Sequence, residues 1–223
     1  MILAQARDDF FRWDWVGSHL DLIWEKVAEH LWLTGIALGV GTGISLLLSI
    51  VALRFRRSYG PITWATGALY TIPSLALFAF LVPITGFTTL TAEIGLVSYT
   101  LLILIRNIVA GIDGVDPAVK EAALGMGYSR TRLFLRIELP LALPVIVAGL
   151  RIAAVTTIGL VTVTALIGQG GVGFFILSGL QRFFSTEIVL GTALSVILAV
   201  TVDLALVLVE RALTPWARRR AAT

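Results

Sequence analysis

Three charged residues inside apolar segments are the residues of this sequence best placed to do chemistry. Arg106, Arg151 and Asp203 each lie within a run that is otherwise almost free of charge. At about 1.5 Å per residue, all three fall at a similar depth in their segments. A carboxylate at that depth could relay a proton or an ion, as in a secondary transporter. It could instead pair with an arginine, and we expect Asp203 to pair with Arg106 or Arg151 and so to fix two helices together.

A glycine-rich run fits a nucleotide-binding fingerprint, but its context argues against that function. Gly168, Gly170 and Gly173 match G-x-G-x-x-G, which binds dinucleotides only after a strand and within a βαβ unit. Here the run follows an apolar segment long enough to cross a membrane. The sequence carries no Ser/His/Asp triad, metal cluster or carboxylate pair, and we interpret His19 and His30 as interfacial residues. We therefore expect no catalytic site and no metal.

Composition indicates a membrane protein. Of the 223 residues, 57% are hydrophobic and 14% are charged, and the mean hydropathy is +0.93, values that are not typical of a soluble globule. The length suits roughly four to six membrane spans and leaves no room for a nucleotide-binding domain. The absence of cysteine excludes disulfides and thiolate metal sites. The net charge of +3 comes from residues that flank apolar runs, so it does not indicate nucleic-acid binding.

The apolar runs predict five transmembrane helices. We place them at about 31–53, 62–83, 92–112, 143–167 and 188–213. Gly35, Gly39 and Gly43 lie on one face of the first helix and predict close helix packing in lipid. Pro73 predicts a bend in the second helix, because proline removes a backbone donor. An acidic and aromatic stretch before the first span predicts an interfacial helix, and residues 168–184 predict a loop.

The positions of lysine and arginine predict the orientation. With five alternating spans, the basic residues at 54–57, 120–136 and 218–220 fall on one side, which the positive-inside rule makes cytoplasmic. The N-terminus is then outside and the C-terminus inside. This predicts an extracytoplasmic interfacial segment at 1–30, a transmembrane domain at 31–213 with a cytoplasmic loop at 113–141, and a basic cytoplasmic tail at 214–223.

The polar stretch within that cytoplasmic loop predicts two short helices. Asp116 suits an N-cap and Pro117 suits the first helical position. Gly127 is a natural helix stop, and Ser129 can cap a second helix that we expect Pro140 to end. The result would be an apolar helical face with basic edges, which a membrane protein could present to a soluble partner. An ordinary amphipathic loop between two membrane helices is the alternative.

The same stretch resembles the EAA signature of ABC importer permeases. Glu121-Ala122-Ala123 is followed at that family's spacing by Gly127, Ile137 and Leu139-Pro140. The resemblance implies an all-α membrane protein with the type I, MetI-like permease fold and no ATPase site of its own. It also implies that the loop is a coupling helix that contacts a cytoplasmic ATPase. The implied contact residues are Glu121, Ala122, Ala123, Gly127, Arg130, Ile137, Leu139 and Pro140.

Further stretches resemble the permeases that import osmoprotectants such as glycine betaine, choline and carnitine. These stretches are 70–81 and 106–117. Residues 165–173 resemble the glycine-rich end of the fourth helix, which implies an external gate at Gly168, Gly170, Gly171 and Gly173. The resemblance implies three partners: ATPase subunits that hold ATP and magnesium, a second permease copy or paralogue, and an external binding protein. An importer of methionine or another amino acid, and a secondary transporter that uses Asp203, are the alternatives.

Overall fold

The computed structural model describes residues 10–216, and this part of the chain is built from helices without a strand. Residues 1–9 and the predicted terminal arginines at 218–220 lie outside the described residues. The helices are α1 (Trp13–Ser18), α2 (Leu20–Arg54), α3 (Tyr59–Thr71), α4 (Ser74–Thr85), α5 (Thr89–Asp113), α6 (Pro117–Gly125), α7 (Arg130–Leu133), α8 (Leu139–Val163), α9 (Gly173–Arg182) and α10 (Ser185–Leu213).

Four helical segments are long and apolar enough to cross a membrane. They are α2, α5, the stretch Arg130–Ile167 that contains α8, and α10. The pair α3 and α4 would be a fifth span, broken at Ile72 and Pro73. The predicted all-helical membrane fold is therefore confirmed, while the orientation of its ends stays a prediction.

Helix α2 begins earlier than the predicted first span. It runs without a break from Leu20 to Arg54, so the interfacial helix predicted before Leu31 leads directly into the first span. The apolar positions before Leu31 continue in phase with those after it, and neither proline nor glycine interrupts residues 20–31. Nothing in this stretch can stop a helix, and the interfacial helix and the span become one element.

The predicted loop at 168–184 contains helix α9. Its buried residues include Phe175, Ser178 and Gly179, which recur at the three- and four-residue spacing of one helix face. The glycine-rich run before α9 is typical of a loop, and it adjoins this helical periodicity without a separating residue. The loop interpretation is correct only for the glycine-rich run that connects α8 to α9.

Two compact units divide the chain. Among the described residues, the first contains 10–37, Pro73–Leu96 and Thr156–Val200, and the second contains Leu38–Ile72, Val97–Val155 and 201–216. The four long helices α2, α5, α8 and α10 are each divided, so that each unit contains one end of every one of them. The first unit holds the glycine-rich run and α9, and the second holds α6 and α7.

Small residues set the packing of the second unit. Ala52 and Ala153 are wholly buried in its two apolar clusters, against Ile105 and Leu104 respectively. Membrane helices gain little from excluding water and depend on close van der Waals contact, which small side chains permit. This explains why alanine recurs at the centre of these clusters.

The glycine stripe predicted on the first span is not the packing face within the chain. A Cβ at Gly35, Gly39 or Gly43 would meet no described atom within 4 Å. Gly41, which lies off that stripe, is instead pressed against the Thr100 side chain. Within the chain, α5 covers the face of α2 that carries Gly41, and the packing predicted for the other three glycines stays a prediction.

The helix breaks at Pro73, where the sequence predicts a bend. Helix α3 ends at Thr71 and α4 begins at Ser74, since proline cannot continue the backbone hydrogen-bond pattern. The Tyr99 hydroxyl of α5 donates a hydrogen bond to the carbonyl of Ile72. A side chain from a neighbouring helix thus satisfies a backbone group that the break leaves without a helical partner.

Candidate functional site

The loop at residues 113–141, named the coupling loop here after the role that the resemblance implies, has the predicted helix caps and the predicted turn. A carboxylate oxygen of Asp116 accepts a hydrogen bond of 2.8 Å from the Ala118 N–H, and Pro117 is the first residue of α6. Gly127 has φ +82°, a conformation that glycine adopts at low cost. The Ser129 hydroxyl oxygen accepts from the Arg132 N–H at 3.3 Å. These caps and the turn make α6 a defined helix beside α7.

Pro140 does not end the second helix, contrary to expectation. The chain continues from α7 through a wide helical turn at Phe134–Glu138 directly into α8, in which Pro140 is the second residue. The Leu139 N–H bonds to the carbonyl of Phe134, five residues back. In this wider turn the backbone N–H groups bond to carbonyls five residues back and not four. The proline can therefore follow without its ring clashing and without its missing N–H breaking a regular helical bond. The coupling loop is therefore continuous with a membrane span.

The outer face of α6 is apolar and exposed. Met126, just after α6, is 70% exposed and Leu124 within it is 47% exposed, and neighbouring apolar residues outside the spans suit contact with a partner. Of the predicted contact residues, Glu121, Ala122, Gly127 and Arg130 are exposed, Ile137, Leu139 and Pro140 are half-buried, and Ala123 is buried. Ala123 thus packs inward and supports the helix, while the first four are accessible to a partner.

Ionic contacts that the sequence did not reveal hold the coupling loop to the ends of the spans. The Lys120 ammonium lies 3.2 Å from a carboxylate oxygen of Glu138 and donates to the carbonyl of Ile112 at 3.1 Å. The Arg56 guanidinium forms two hydrogen bonds with the Asp113 carboxylate, at 2.7 and 2.6 Å. Lys120 therefore links α6 to the end of α5 and to the turn before α8. No local spacing rule connects residues this far apart in sequence.

Asp203 contacts Arg151 and not Arg106. The Arg151 guanidinium donates two hydrogen bonds to the Asp203 carboxylate, at 2.8 and 3.0 Å, and both side chains are 31% exposed. The second carboxylate near Arg151 is Glu210, at 3.5 Å. A bidentate pair of this kind joins α8 to α10 with a fixed geometry. Glu210 was missed because it lies near the end of its span, where charge is common.

Arg106 stands apart from this network. Its side chain is exposed on α5 and forms no hydrogen bond or ion pair with any residue from 10 to 216. It lies beside the exposed ring of Trp64 in an open groove on the second unit. The structure therefore separates the three predicted intramembrane charges into one pair and one free arginine.

The glycine-rich run owes its composition to close backbone contacts. Gly168, Gly170 and Gly171 have φ values of +77°, +128° and +49°. A Cβ on Gly171 would collide with the backbone of His30, and one on Gly173 with the backbone of Thr162. These contacts explain the glycines without a bound nucleotide, and a helix precedes the run where the dinucleotide motif requires a strand.

His30 and its neighbour on α2 hold this run in place. His30 is wholly buried, so its interpretation as an interfacial residue is wrong. A carboxylate oxygen of Glu29 accepts from the Gly171 N–H at 3.2 Å, and Lys26 lies 2.7 Å from the other carboxylate oxygen. An open cleft of about 150 Å³ lies beside the run, with Lys26, Glu29, Phe174 and Arg182 in its lining. The predicted gate glycines are thus brought together with charged residues that the sequence did not single out.

Comparison with known proteins points to membrane transport. Residues 35–219 match the family described as the binding-protein-dependent transport system inner membrane component. That range includes four of the five predicted transmembrane helices in full and all but the first few residues of the first.

Several curated proteins are similar along most of their length. The choline transport system permease protein OpuBB of Bacillus subtilis is 36% identical over 196 residues, 87% of this chain and 90% of its own. The carnitine transport permease protein OpuCB of Listeria monocytogenes is 39% identical over 200 residues, with coverages of 86% and 88%. The osmoprotectant import permease protein OsmW of Salmonella typhimurium is 33% identical over 192 residues, with coverages of 84% and 89%.

A solved structure shares the fold. A chain from the inward-facing MetNI methionine ABC transporter, in its CY5 native crystal form, superposes with a TM-score of 0.72. The match covers 92% of this chain and 100% of that one, at 20% sequence identity. This likeness establishes the fold, and the substrate of that transporter does not transfer with it.

Proposed function

The chain belongs to the family of binding-protein-dependent transport system inner membrane components, and we propose that it imports a quaternary ammonium osmoprotectant. Choline, glycine betaine and carnitine are the candidates, because similar permeases are named for these solutes. The chain itself is the membrane-spanning permease subunit of an ABC importer. The similarity to permeases named for choline and carnitine carries the substrate class, and the exposed apolar residues beside Gly127, at the family's spacing after Glu121, carry the coupling to an ATPase.

The proposed mechanism transmits force from an ATPase subunit to the spans. The ATPase would bind ATP and magnesium and would cover Met126, Leu124 and their exposed neighbours on α6. When it moves α6, the contacts of Lys120 with Ile112 and Glu138 would pass that movement to α5 and α8. Rigid-body movement of spans between inward- and outward-open states is a known way to alternate access. The residues of this chain thus transmit motion and perform no covalent chemistry.

Two further partners complete the proposed assembly. A second permease, either another copy or a paralogue, would form the other wall of the path. An external binding protein would deliver the solute to the side opposite the coupling loop. The glycine-rich run and its cleft lie on that side if five spans alternate, which supports their proposed role near the external gate.

The alternatives are less well supported. The methionine transporter shares the fold at 20% identity, whereas the permeases named for choline and carnitine reach 36% and 39%. A secondary transporter would need Asp203 to exchange protons or ions. The bidentate contact with Arg151 favours a structural role for this carboxylate instead.

Uptake into proteoliposomes tests the proposal. The permease would be reconstituted with its ATPase and binding protein, and ATP-dependent uptake of labelled choline, glycine betaine, carnitine and methionine would be measured. We expect uptake of at least one quaternary ammonium solute and none of methionine. ATP-dependent uptake of methionine alone would contradict the proposed substrate class, and uptake without ATP would contradict the importer.

A further inference from the structure

An open groove on the second unit combines aromatic rings with an arginine that has no ion-pair partner among residues 10–216. Its volume is about 560 Å³, and its lining includes Thr63, Trp64, Gly67, Tyr70, Leu102 and Arg106. These residues come from α3 and α5, both of which belong to proposed spans. A surface that only contacts lipid has no need of a guanidinium group.

Arg106 needs an anion that the described chain does not supply. A charged residue in a span is costly, and such residues almost always pair with another charge or face a water-filled cavity. Arg151 follows this rule through Asp203 and Glu210. Arg106 has no carboxylate within ion-pair distance among residues 10–216. Its charge is therefore available to a ligand.

The rest of the groove suits the other end of such a ligand. The ring of Trp64 is 77% exposed, and Tyr70 stacks edge-on against Tyr99 with ring centres 5.8 Å apart. Exposed aromatic faces attract quaternary ammonium groups through cation–π interactions. The Thr63 hydroxyl donates to carbonyls of its own helix, so it is not a free donor. The groove thus offers one positive group and aromatic surface.

We propose that this groove binds a carboxylate-bearing quaternary ammonium solute during transport, with its carboxylate on Arg106 and its trimethylammonium group on Trp64 and Tyr70. The inference rests on the proposed function, since it assigns a binding site within the transport path to that same class of solute. Guanidinium and carboxylate form charge-assisted hydrogen bonds with defined geometry. The site therefore distinguishes glycine betaine and carnitine, which carry a carboxylate, from choline, which carries a hydroxyl group.

Selective loss of uptake in an arginine variant tests the carboxylate contact. Arg106→Gln removes the charge from a span, which lowers the cost of insertion, so the variant should fold. In reconstituted transporter we expect glycine betaine and carnitine uptake to fall roughly ten-fold or more, the scale of a lost hydrogen bond to a charged group. Choline uptake should change less than about two-fold, because choline makes no such bond. Arg57→Gln, which removes an exposed arginine outside the groove, is the matched control and should leave all three unchanged.

A second variant tests the groove without touching its charge. A Cβ at Gly67 would meet only the Leu102 side chain, at 4.0 Å, so Gly67→Val should fold and should narrow the groove. We expect it to reduce uptake of all three solutes while the purified protein keeps its yield and melting temperature. Unchanged uptake in Gly67→Val would show that no solute passes through the groove.

The outcomes separate this inference from the proposed function. Wild-type protein that takes up no quaternary ammonium solute contradicts the proposed function. Wild-type uptake of choline alone, or betaine uptake that Arg106→Gln leaves intact, overturns only the carboxylate site. An equal loss for all three solutes in Arg106→Gln also overturns it. In that case, dependence on anionic lipid in the vesicles would identify lipid phosphate as the partner of Arg106.

Discussion

At the scale of single residues, Arg151 is the centre of the charge network in the second unit. It faces two carboxylates, Asp203 at 2.8 Å and Glu210 at 3.5 Å. Removing one acid leaves the arginine with another partner, whereas removing the arginine leaves two like charges near each other without compensation. An uncompensated charge in a poorly solvated site is more destabilising than a missing neutral group.

This asymmetry predicts different stabilities for two charge-removing variants. We expect Arg151→Gln to lower the melting temperature of the detergent-purified permease more than Asp203→Asn does. The measurement is thermal unfolding followed by size-exclusion chromatography, with Arg57→Gln as the control for loss of an exposed arginine. Equal melting temperatures for the two variants would mean that Glu210 does not share the arginine.

A charge swap examines the same pair directly. Arg151→Asp combined with Asp203→Arg should recover part of the stability lost in either single variant, because the pair is restored with its direction reversed. Recovery should be incomplete, since the new aspartate lies close to Glu210. A double variant that is no more stable than the worse single variant would contradict a structural role for the pair.

Glycines of the glycine-rich run should differ sharply in their tolerance of substitution. Gly173→Ala places a Cβ on the Thr162 backbone, which cannot move aside as a flexible side chain can. Gly168 has φ +77° but open space around it, and asparagine tolerates that conformation. We expect Gly173→Ala to abolish folded yield or transport and Gly168→Asn to retain both. Similar behaviour of the two variants would contradict the backbone contact.

At the scale of elements, the turn after α6 decides how the coupling loop is presented. Gly127→Val puts a β-branched residue at φ +82°, at a cost of about 1–3 kcal/mol. We expect the variant still to insert into the membrane. ATP-driven uptake of the solute should fall, because ATP hydrolysis is no longer coupled to uptake. The check is the ratio of solute transported to ATP hydrolysed in proteoliposomes.

The neighbouring glycine provides a matched control. Gly125 is the last residue of α6 and a Cβ there would meet nothing within 4 Å. Gly125→Ala should therefore leave the coupling ratio unchanged. A Gly127→Val protein that transports as well as Gly125→Ala would contradict the role assigned to the turn.

The helix ends and turns that depend on neighbouring residues could be predicted from the sequence. The caps at Asp116 and Ser129 and the turn at Gly127 depend only on residues within a few positions, and all three have the expected geometry. Helix α9 carries a helical periodicity that local sequence could have predicted, whereas the close contact of Gly41 could not be predicted, because it depends on which helix packs against α2. Apolar length alone predicted the four long spans, since lipid imposes that length on every crossing helix, whereas the 94° bend between α3 and α4 did not follow from it.

The same limit applies to the candidate site. The spacing of Glu121 and Gly127 carries the family signature, so the coupling loop was accessible from sequence. The contact of Lys120 with Glu138 joins residues 18 positions apart across a turn, and no sequence pattern predicts a contact at that separation. Choosing between Arg106 and Arg151 as the partner of Asp203 likewise required the helices to be placed relative to one another.

At the scale of the whole molecule, the orientation prediction can be tested with the natural absence of cysteine. Single variants Met126→Cys just after α6 and Phe183→Cys just after α9 introduce thiols at residues that are 70% and 95% exposed. A membrane-impermeant maleimide should label Phe183→Cys in intact cells and Met126→Cys only after permeabilisation. The reverse labelling would place the coupling loop outside and contradict the positive-inside assignment.

The coupling of this permease to an ATPase is the central claim, and copurification from detergent tests it most directly. Tagged wild type and a Glu121→Lys/Gly127→Val double variant would be compared, with Gly125→Ala as the control for an ordinary change in α6. We predict that an ATPase subunit copurifies with wild type and with the control and is lost from the double variant. A folded double variant that retains the ATPase, or a wild type that binds none, would contradict the account.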